Sequence, residues 1–171
     1  MTNSDWSSDV CSSDLYGKSK LAGEEFVRTL CHRYLIVRSA WVYGIGRDFV
    51  STVLNAAADP TCPWLAVPTD RFASPTSADD LTAAVEQLID HDTLGIYHIV
   101  CQGCCSRYDF AQAILKAAHM EDKLELHPIR AADAGSTPSY TVLDNLMLRL
   151  DNLPQPRPWK EALNEYINSL Q

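Results

Sequence analysis

A chain of 171 residues and 19.0 kDa is one domain or part of one, long enough to bury a core. Its 46% hydrophobic and 21% charged residues are those of an ordinary globular protein, and no apolar run approaches the ~20 residues that span a bilayer. The net charge of −8, without a Lys or Arg cluster, argues against a nucleic-acid partner, which needs a basic surface to neutralise phosphates.

The chain opens on a stutter, SDWSSDVCSSDL (residues 4–15), with no helical or strand period. No basic segment followed by an apolar stretch is present, so no secretory signal is read and a cytoplasmic location is expected. From Tyr16 onward helix and strand signals alternate. Tyr16 and Lys20 head an amphipathic helix striped by Ala22, Phe26, Val27 and Leu30, and YLIVRS (residues 34–39) reads as a short apolar strand. A Gly-containing loop, YGIGRD, leads into the helix FVSTVLNAAA. WLAVP (residues 64–68) reads as a strand and TDRFASPT as a loop.

SADDLTAAVEQLIDH begins with a capping-box pattern, Ser77 with Asp80 three residues on, and presents Leu81, Ala84, Val85, Leu88 and Ile89 on one face. GIYHIV (residues 95–100) is a strand, SRYDFAQAILKAAHM a helix capped by Ser106, and LELHPI a strand. A polar break, AADAGSTPS, precedes a closing helix near Pro158 that carries Trp159, Leu163, Tyr166, Ile167 and Leu170. This alternation predicts an α/β fold with a largely parallel sheet. Such sheets bind ligands at the carboxyl ends of their strands, which singles out YGIGRD, TDRFASPT and QGCCS.

Six cysteines include a C-x-x-C at Cys101 and Cys104, with Cys105 adjacent. No second pair or His follows at zinc-finger spacing, so no metal site is expected. Cys104 and Cys105 precede a helix N-terminus, which lowers a thiol pKa, so redox chemistry is one reading. Small buried thiols are the other, and the favoured one. A small anionic ligand needs only local cations, and Lys20, Arg38, Arg47 and Arg71 are available.

The spacing of Tyr16 and Lys20 puts a phenol and an ammonium one helical turn apart on one face. A Tyr hydroxyl ordinarily titrates near pH ~10. A neighbouring cation favours the phenolate and brings the group toward working pH, where proton transfer is effective. Such a Tyr can protonate a carbonyl oxygen while a hydride arrives at the carbon. A solvent-facing Tyr and Lys on an ordinary helix are the plain alternative.

The pair stands in an ordered series: YGKSKLAGEEFV, IVRSAWVYGIGRDFVSTVL, TDRFASPTSADDL, GIYHIVCQGCCSRYDFAQAIL, TPSYTVLDN and RPWKEAL. In this series the chain resembles the short-chain dehydrogenase/reductase superfamily, in its extended, sugar-nucleotide-modifying branch, and most closely the dTDP-4-dehydrorhamnose reductase family. The resemblance covers residues 15–170. It implies the C-terminal part of a Rossmann-like doubly wound parallel sheet plus a small substrate-binding subdomain, and an NADPH- or NADH-dependent oxidoreductase acting on a sugar nucleotide.

It also implies roles. Tyr16 matches the catalytic acid, and Lys20 the lysine that bonds the nicotinamide ribose and lowers the tyrosine pKa. Arg38, Ser39 and Ala40 fall where the family's chain passes the nicotinamide. Trp41 matches an aromatic against the substrate sugar, although core packing is the plainer reading of a Trp. Ser74, Pro75 and Thr76 match a loop on the substrate side, and Arg71 stands beside it where rhamnose-pathway reductases often carry Gln. Asp79 and Asp80 read as cap and helix-dipole residues. No membrane or metal is implied, and a homodimer is left open.

The sequence departs from the family in three further respects. No G-x-x-G-x-x-G turn for a dinucleotide pyrophosphate occurs, and only fifteen residues precede Tyr16, too few for the family's upstream Ser or Thr. Thr137 stands where the family commonly has Arg before Pro. Residues 1–14 therefore read as a non-native or disordered tail, of the kind a translated sequencing adaptor leaves, and residues 15–171 as the C-terminal part of a reductase domain. The isolated chain is expected to be inactive. A non-catalytic subunit resembling the regulatory subunit of methionine adenosyltransferase, and an epimerase or dehydratase of the same branch, are the alternatives.

Overall fold

A computed structural model describes residues 12–133 and 139–170, with the backbone alone at residues 12–14. The first helix, α1 (Ser12–Leu30), starts three residues before Leu15, inside the stutter. The chain then runs β1 (Leu35–Arg38), β2 (Val42–Tyr43), α2 (Phe49–Ala58), β3 (Trp64–Pro68), β4 (Arg71–Ala73) and β5 (Thr76–Ser77). It continues through α3 (Ala78–Asp90), β6 (Gly95–His98), β7 (Cys105–Ser106), α4 (Arg107–Ala117), β8 (Glu125–Ile129) and β9 (Ser139–Tyr140). Two helices, α5 (Leu146–Leu150) and α6 (Trp159–Ser169), close it.

Helices placed between strands carry the chain back to the same end, so the pairing is mostly parallel. Among the described residues β1 pairs with β6, β2 with β5, β3 with β8 and β4 with β9, all in parallel, and only β4 with β7 is antiparallel. The fold class is α/β, as expected.

The helices begin where their caps dictate. Asp48 accepts from the Ser51 N–H at 2.7 Å while Ser51 Oγ accepts from the Asp48 N–H at 2.9 Å, which starts α2 and draws in the Gly44 N–H at 2.8 Å. Ser106 and Asp109 form the same reciprocal cap on α4. At α3 the expected box is only half made. Ser77 Oγ accepts from the Asp80 N–H at 3.4 Å, but the Asp80 carboxylate turns to Arg157 at 3.0 Å instead, tying α3 to the start of α6.

Two clusters form the core. One gathers α2, α4 and α6 around Phe110, whose ring lies 5.7 Å from Tyr43, 5.8 Å from Phe49 and 5.8 Å from Trp159. The other packs Leu88 of α3 and Leu148 of α5 on Tyr97 and Ile99 at the β6 end. Ile89, expected on the buried face of α3, is 64% exposed because it lies past the edge of that stripe. The amphipathic stripe of α1 finds no cover: Phe26 is 67% exposed and Leu30 76%.

The TDRFASPT segment, expected as a loop, contains β4 and β5. Two or three residues are too few to show a period, and these strands exist only through tertiary pairing. The helix α5 was likewise not expected. No helix among the described residues is long and apolar enough to cross a membrane.

Candidate active site

The site is built where β1 ends. From Glu24 the helix α1 lies back along β1, because Glu24 accepts from Arg38 Nε at 2.8 Å and from Arg38 Nη2 at 2.5 Å. That hydrogen bond, foremost, holds the Glu24 carboxyl below its usual range. Tyr16, Lys20 and Glu24 recur at i, i+4 and i+8 on one face. At ~1.5 Å per residue, Tyr16 stands ~12 Å beyond the Glu24 anchor, past the carboxyl end of β1. Lys20 Nζ lies 5.3 Å from the centre of the Tyr16 ring, and Tyr16 is 65% exposed.

Beyond β1 come Ser39, Ala40 and Trp41, all half-buried. Ser39 Oγ is shut off from solvent with no hydrogen-bond partner among the described residues. Trp41 has a φ of 41°, a left-handed conformation that is strained for a bulky side chain. It is held there from beneath. The Thr76 N–H donates to the Trp41 carbonyl at 3.2 Å, while Thr76 Oγ donates to the Ser74 carbonyl at 3.1 Å and accepts from the Cys101 N–H at 3.3 Å. Ser74, Pro75 and Thr76 are fully buried. Gly44, just downstream, leaves no room for a side chain: a Cβ there would sit 2.8 Å from Ala78 Cβ.

Trp41 stacks on Phe110 with 6.3 Å between ring centres. Its ring also takes the guanidinium of Arg107 at 3.9 Å, and the same guanidinium lies 4.3 Å from the Phe49 ring. Burial, and after it the charge of Arg71, pull Arg107 down to about 10. Arg71 is half-buried, and its Nε is shut off from solvent without an acceptor among the described residues. The sequence reading named Arg71 but missed Arg107. The signal available for it was a cation at the first position of a capped helix, the positive end of the helix dipole, right after QGCCS.

The structure thus brings Trp41, Arg71 and Arg107 to one place, ties Arg38 to Glu24, and sets Tyr16 and Lys20 on an adjoining helix. Asp80 serves Arg157, and Thr137 lies outside the described residues. Burial pushes the Cys101 thiol up to about 11 and the Cys105 thiol up to about 12, which makes both poor nucleophiles, while Cys104 is exposed. A cavity of about 900 Å³, walled in part by Cys104, Lys116 and Lys160, opens between α4 and α6. Among the described residues no group of three or more His, Cys, Asp or Glu side chains is placed to hold a metal ion.

Parallel strand pairs with a Tyr–Lys helix beside the carboxyl end of the first strand define an α/β domain of the Rossmann-like kind. The chain belongs to the RmlD substrate binding domain family, which matches residues 7–171. It is 39% identical over 155 residues to the spore coat polysaccharide biosynthesis protein SpsK of Bacillus subtilis, covering 90% of this chain and 53% of that protein. A dTDP-4-dehydrorhamnose reductase from Clostridium acetobutylicum matches its structure with a TM-score of 0.85 at 41% identity, over 91% of this chain and 55% of that one. The Bacillus anthracis dTDP-4-dehydrorhamnose reductase, solved in complex with NADP, gives a TM-score of 0.85 at 34% identity, over 91% and 55%. The chain spans about half the length of the curated relatives it matches.

Proposed function

We propose that this chain carries the proton donor and the substrate-binding half of an NADPH- or NADH-dependent reductase of a 4-keto-6-deoxy sugar nucleotide, of the dTDP-4-dehydrorhamnose reductase kind. The observation that carries the reading is the Tyr16–Lys20 pair. Its ammonium lies 5.3 Å from the ring centre, on a helix that Glu24 and Arg38 hold over the end of β1. The relative solved with NADP supports the cofactor class.

The residues present fit a nicotinamide riboside. Ser39 Oγ is a buried hydroxyl without a partner, and Lys20 has no ion pair or hydrogen bond among the described residues. When bound, the reduced dinucleotide would supply a hydride to the keto carbon. Tyr16 Oη gives its proton to the keto oxygen as that oxygen gains charge, and Lys20 stabilises the phenolate left behind. Ser39 and Ala40 pass beside the ring, while Arg38 acts at one remove by fixing α1. Trp41 walls the sugar and Arg71 offers its Nε to the substrate. Ser74, Pro75 and Thr76 hold Trp41 in its strained conformation.

Residues 15–171 are read as the C-terminal part of the reductase domain, about half the length of the curated relatives. The test is to join residues 15–171 behind the dinucleotide-binding half of the Clostridium acetobutylicum reductase and follow NADPH oxidation with a dTDP-4-keto-6-deoxy sugar. Turnover that falls ~10²–10⁴-fold in Tyr16→Phe is expected. A folded chimera that binds NADPH and leaves the sugar nucleotide untouched overturns the reading.

A further inference from the structure

We infer that Arg71 and Arg107, backed by Trp41, form a clamp for the diphosphate of a nucleotide substrate, with Arg107 as a specificity-determining residue. The inference rests on the sugar-nucleotide reading above and names the part of the substrate that this corner of the site holds.

The antiparallel ladder between β4 and β7 pairs Phe72 with Ser106 and Ala73 with Cys105. One more step of the same register sets Arg71 opposite Arg107. Like charges directly opposite across a ladder destabilise it, and among the described residues no carboxylate pairs with either one. Among the described residues neither guanidinium has an ion pair or a hydrogen bond. Of the acids beside them in sequence, Asp109 is spent on the α4 cap and Asp70 accepts from the Ala131 N–H at 2.8 Å.

Three further local costs meet at the same spot. Arg107 is the first residue of α4, where the helix dipole disfavours a cation. The Arg71 Nε is a buried donor with no acceptor. Trp41 is held at a φ of 41° with its ring 3.9 Å from the Arg107 guanidinium. Local conflicts that converge without mutual compensation mark a place shaped for a ligand.

One kind of ligand answers all of them. An anion bridging the two guanidiniums removes their repulsion, supplies the Arg71 acceptor and takes advantage of the helix N-terminus. Two forks facing each other across a strand pair suit a diphosphate, with one phosphate to each fork, better than a single carboxylate. Packing of Arg107 against Trp41 and Phe49 fixes its plane before the ligand arrives, and lysine cannot reproduce that.

The test is calorimetric titration of the 171-residue chain with inorganic pyrophosphate, dTDP and thymidine, and of Arg107→Gln, Arg107→Lys and Arg71→Gln with the same probes. Saturable binding of pyrophosphate and dTDP, with thymidine far weaker, is expected. Each Gln variant should weaken pyrophosphate ~10-fold or more, and Arg107→Lys should not restore it. Arg71 lies outside the aromatic stack, so Arg71→Gln remains informative if Arg107→Gln loses its circular dichroism spectrum. Pyrophosphate binding that is absent from the folded chain, or unchanged in folded Arg107→Gln and Arg71→Gln, overturns the clamp. If dTDP still binds well to those variants, the clamp falls and the sugar-nucleotide reading stands. If pyrophosphate binds, weakens in both variants, and dTDP binds no tighter, the clamp stands as an anion site and the sugar-nucleotide reading falls.

Discussion

Glu24 accepts two hydrogen bonds from Arg38, at 2.8 and 2.5 Å, and this forked pair aligns α1 with the end of β1. Every other α1 side chain from Leu15 to Leu30 is exposed. The position of Tyr16 therefore depends on one ion pair more than on packing.

Glu24→Gln should release α1 while leaving the rest of the fold in place. The expected loss is about 0.5–1 kcal/mol, because the pair is only partly shielded from water, and it should appear as faster amide exchange confined to α1. The pH dependence follows from the depressed Glu24 pKa. The stabilisation is fully present above the ordinary value of 4.5 and is lost as pH falls through the lower folded value. In the Gln variant this acid-dependent component should vanish.

The uncovered stripe makes self-association the expected behaviour of the isolated chain. Leu21, Phe26 and Leu30 are 54%, 67% and 76% exposed, and among the described residues β1 has a strand neighbour on one side only, leaving an open edge. Sedimentation should show concentration-dependent oligomers that Phe26→Ser with Leu30→Ser reduces. A sharp, monomeric thermal transition of the unaltered chain would count against this.

Phe110 is the strongest lever on stability. It is 1% exposed and touches the rings of Trp41, Tyr43, Phe49 and Trp159. Phe110→Ala should cost about 3–5 kcal/mol, a large part of the ~5–15 kcal/mol that holds a domain together. Denaturant titration checks this, with the midpoint moving sharply downward.

Asn145 brackets Val100, two residues past the end of β6. Its Oδ1 accepts from the Val100 N–H at 2.9 Å, and its Nδ2 donates to the Val100 carbonyl at 2.7 Å, all of it buried. Asn145→Leu keeps the volume and leaves both Val100 groups unsatisfied, at about 1–3 kcal/mol for each. Asn145→Asp keeps only the acceptor, and it should be destabilised further as pH rises and the buried carboxyl must ionise. Chemical unfolding of the two variants across pH separates these effects.

Much of the chain was legible before the structure. The helices α2, α3, α4 and α6 follow from their apolar spacing, helped at α3 and α4 by the Ser77 and Ser106 caps, which act over three or four residues. The strands β1, β3, β6 and β8 follow from short apolar runs between turn signals. The pairing of Tyr16 with Lys20 was legible for the same reason, since side chains four apart on a helix must meet. What escaped were pieces too short to carry a period, β2, β4, β5, β7, β9 and α5, and the side on which each stripe finds cover. Ile89 lies beyond its stripe, and Phe26 faces water.

The sequence by itself determined the α/β class, the Ser caps of α3 and α4 and the Tyr–Lys helix, because each depends on interactions between near neighbours in the chain. Only the tertiary structure decided that Ser74, Pro75 and Thr76 are buried, with the Thr76 N–H on the Trp41 carbonyl, and that Glu24 reaches Arg38. It alone set Arg71 against Arg107. That meeting depends on the register of β4 on β7, and register exists only once two distant segments have been packed side by side.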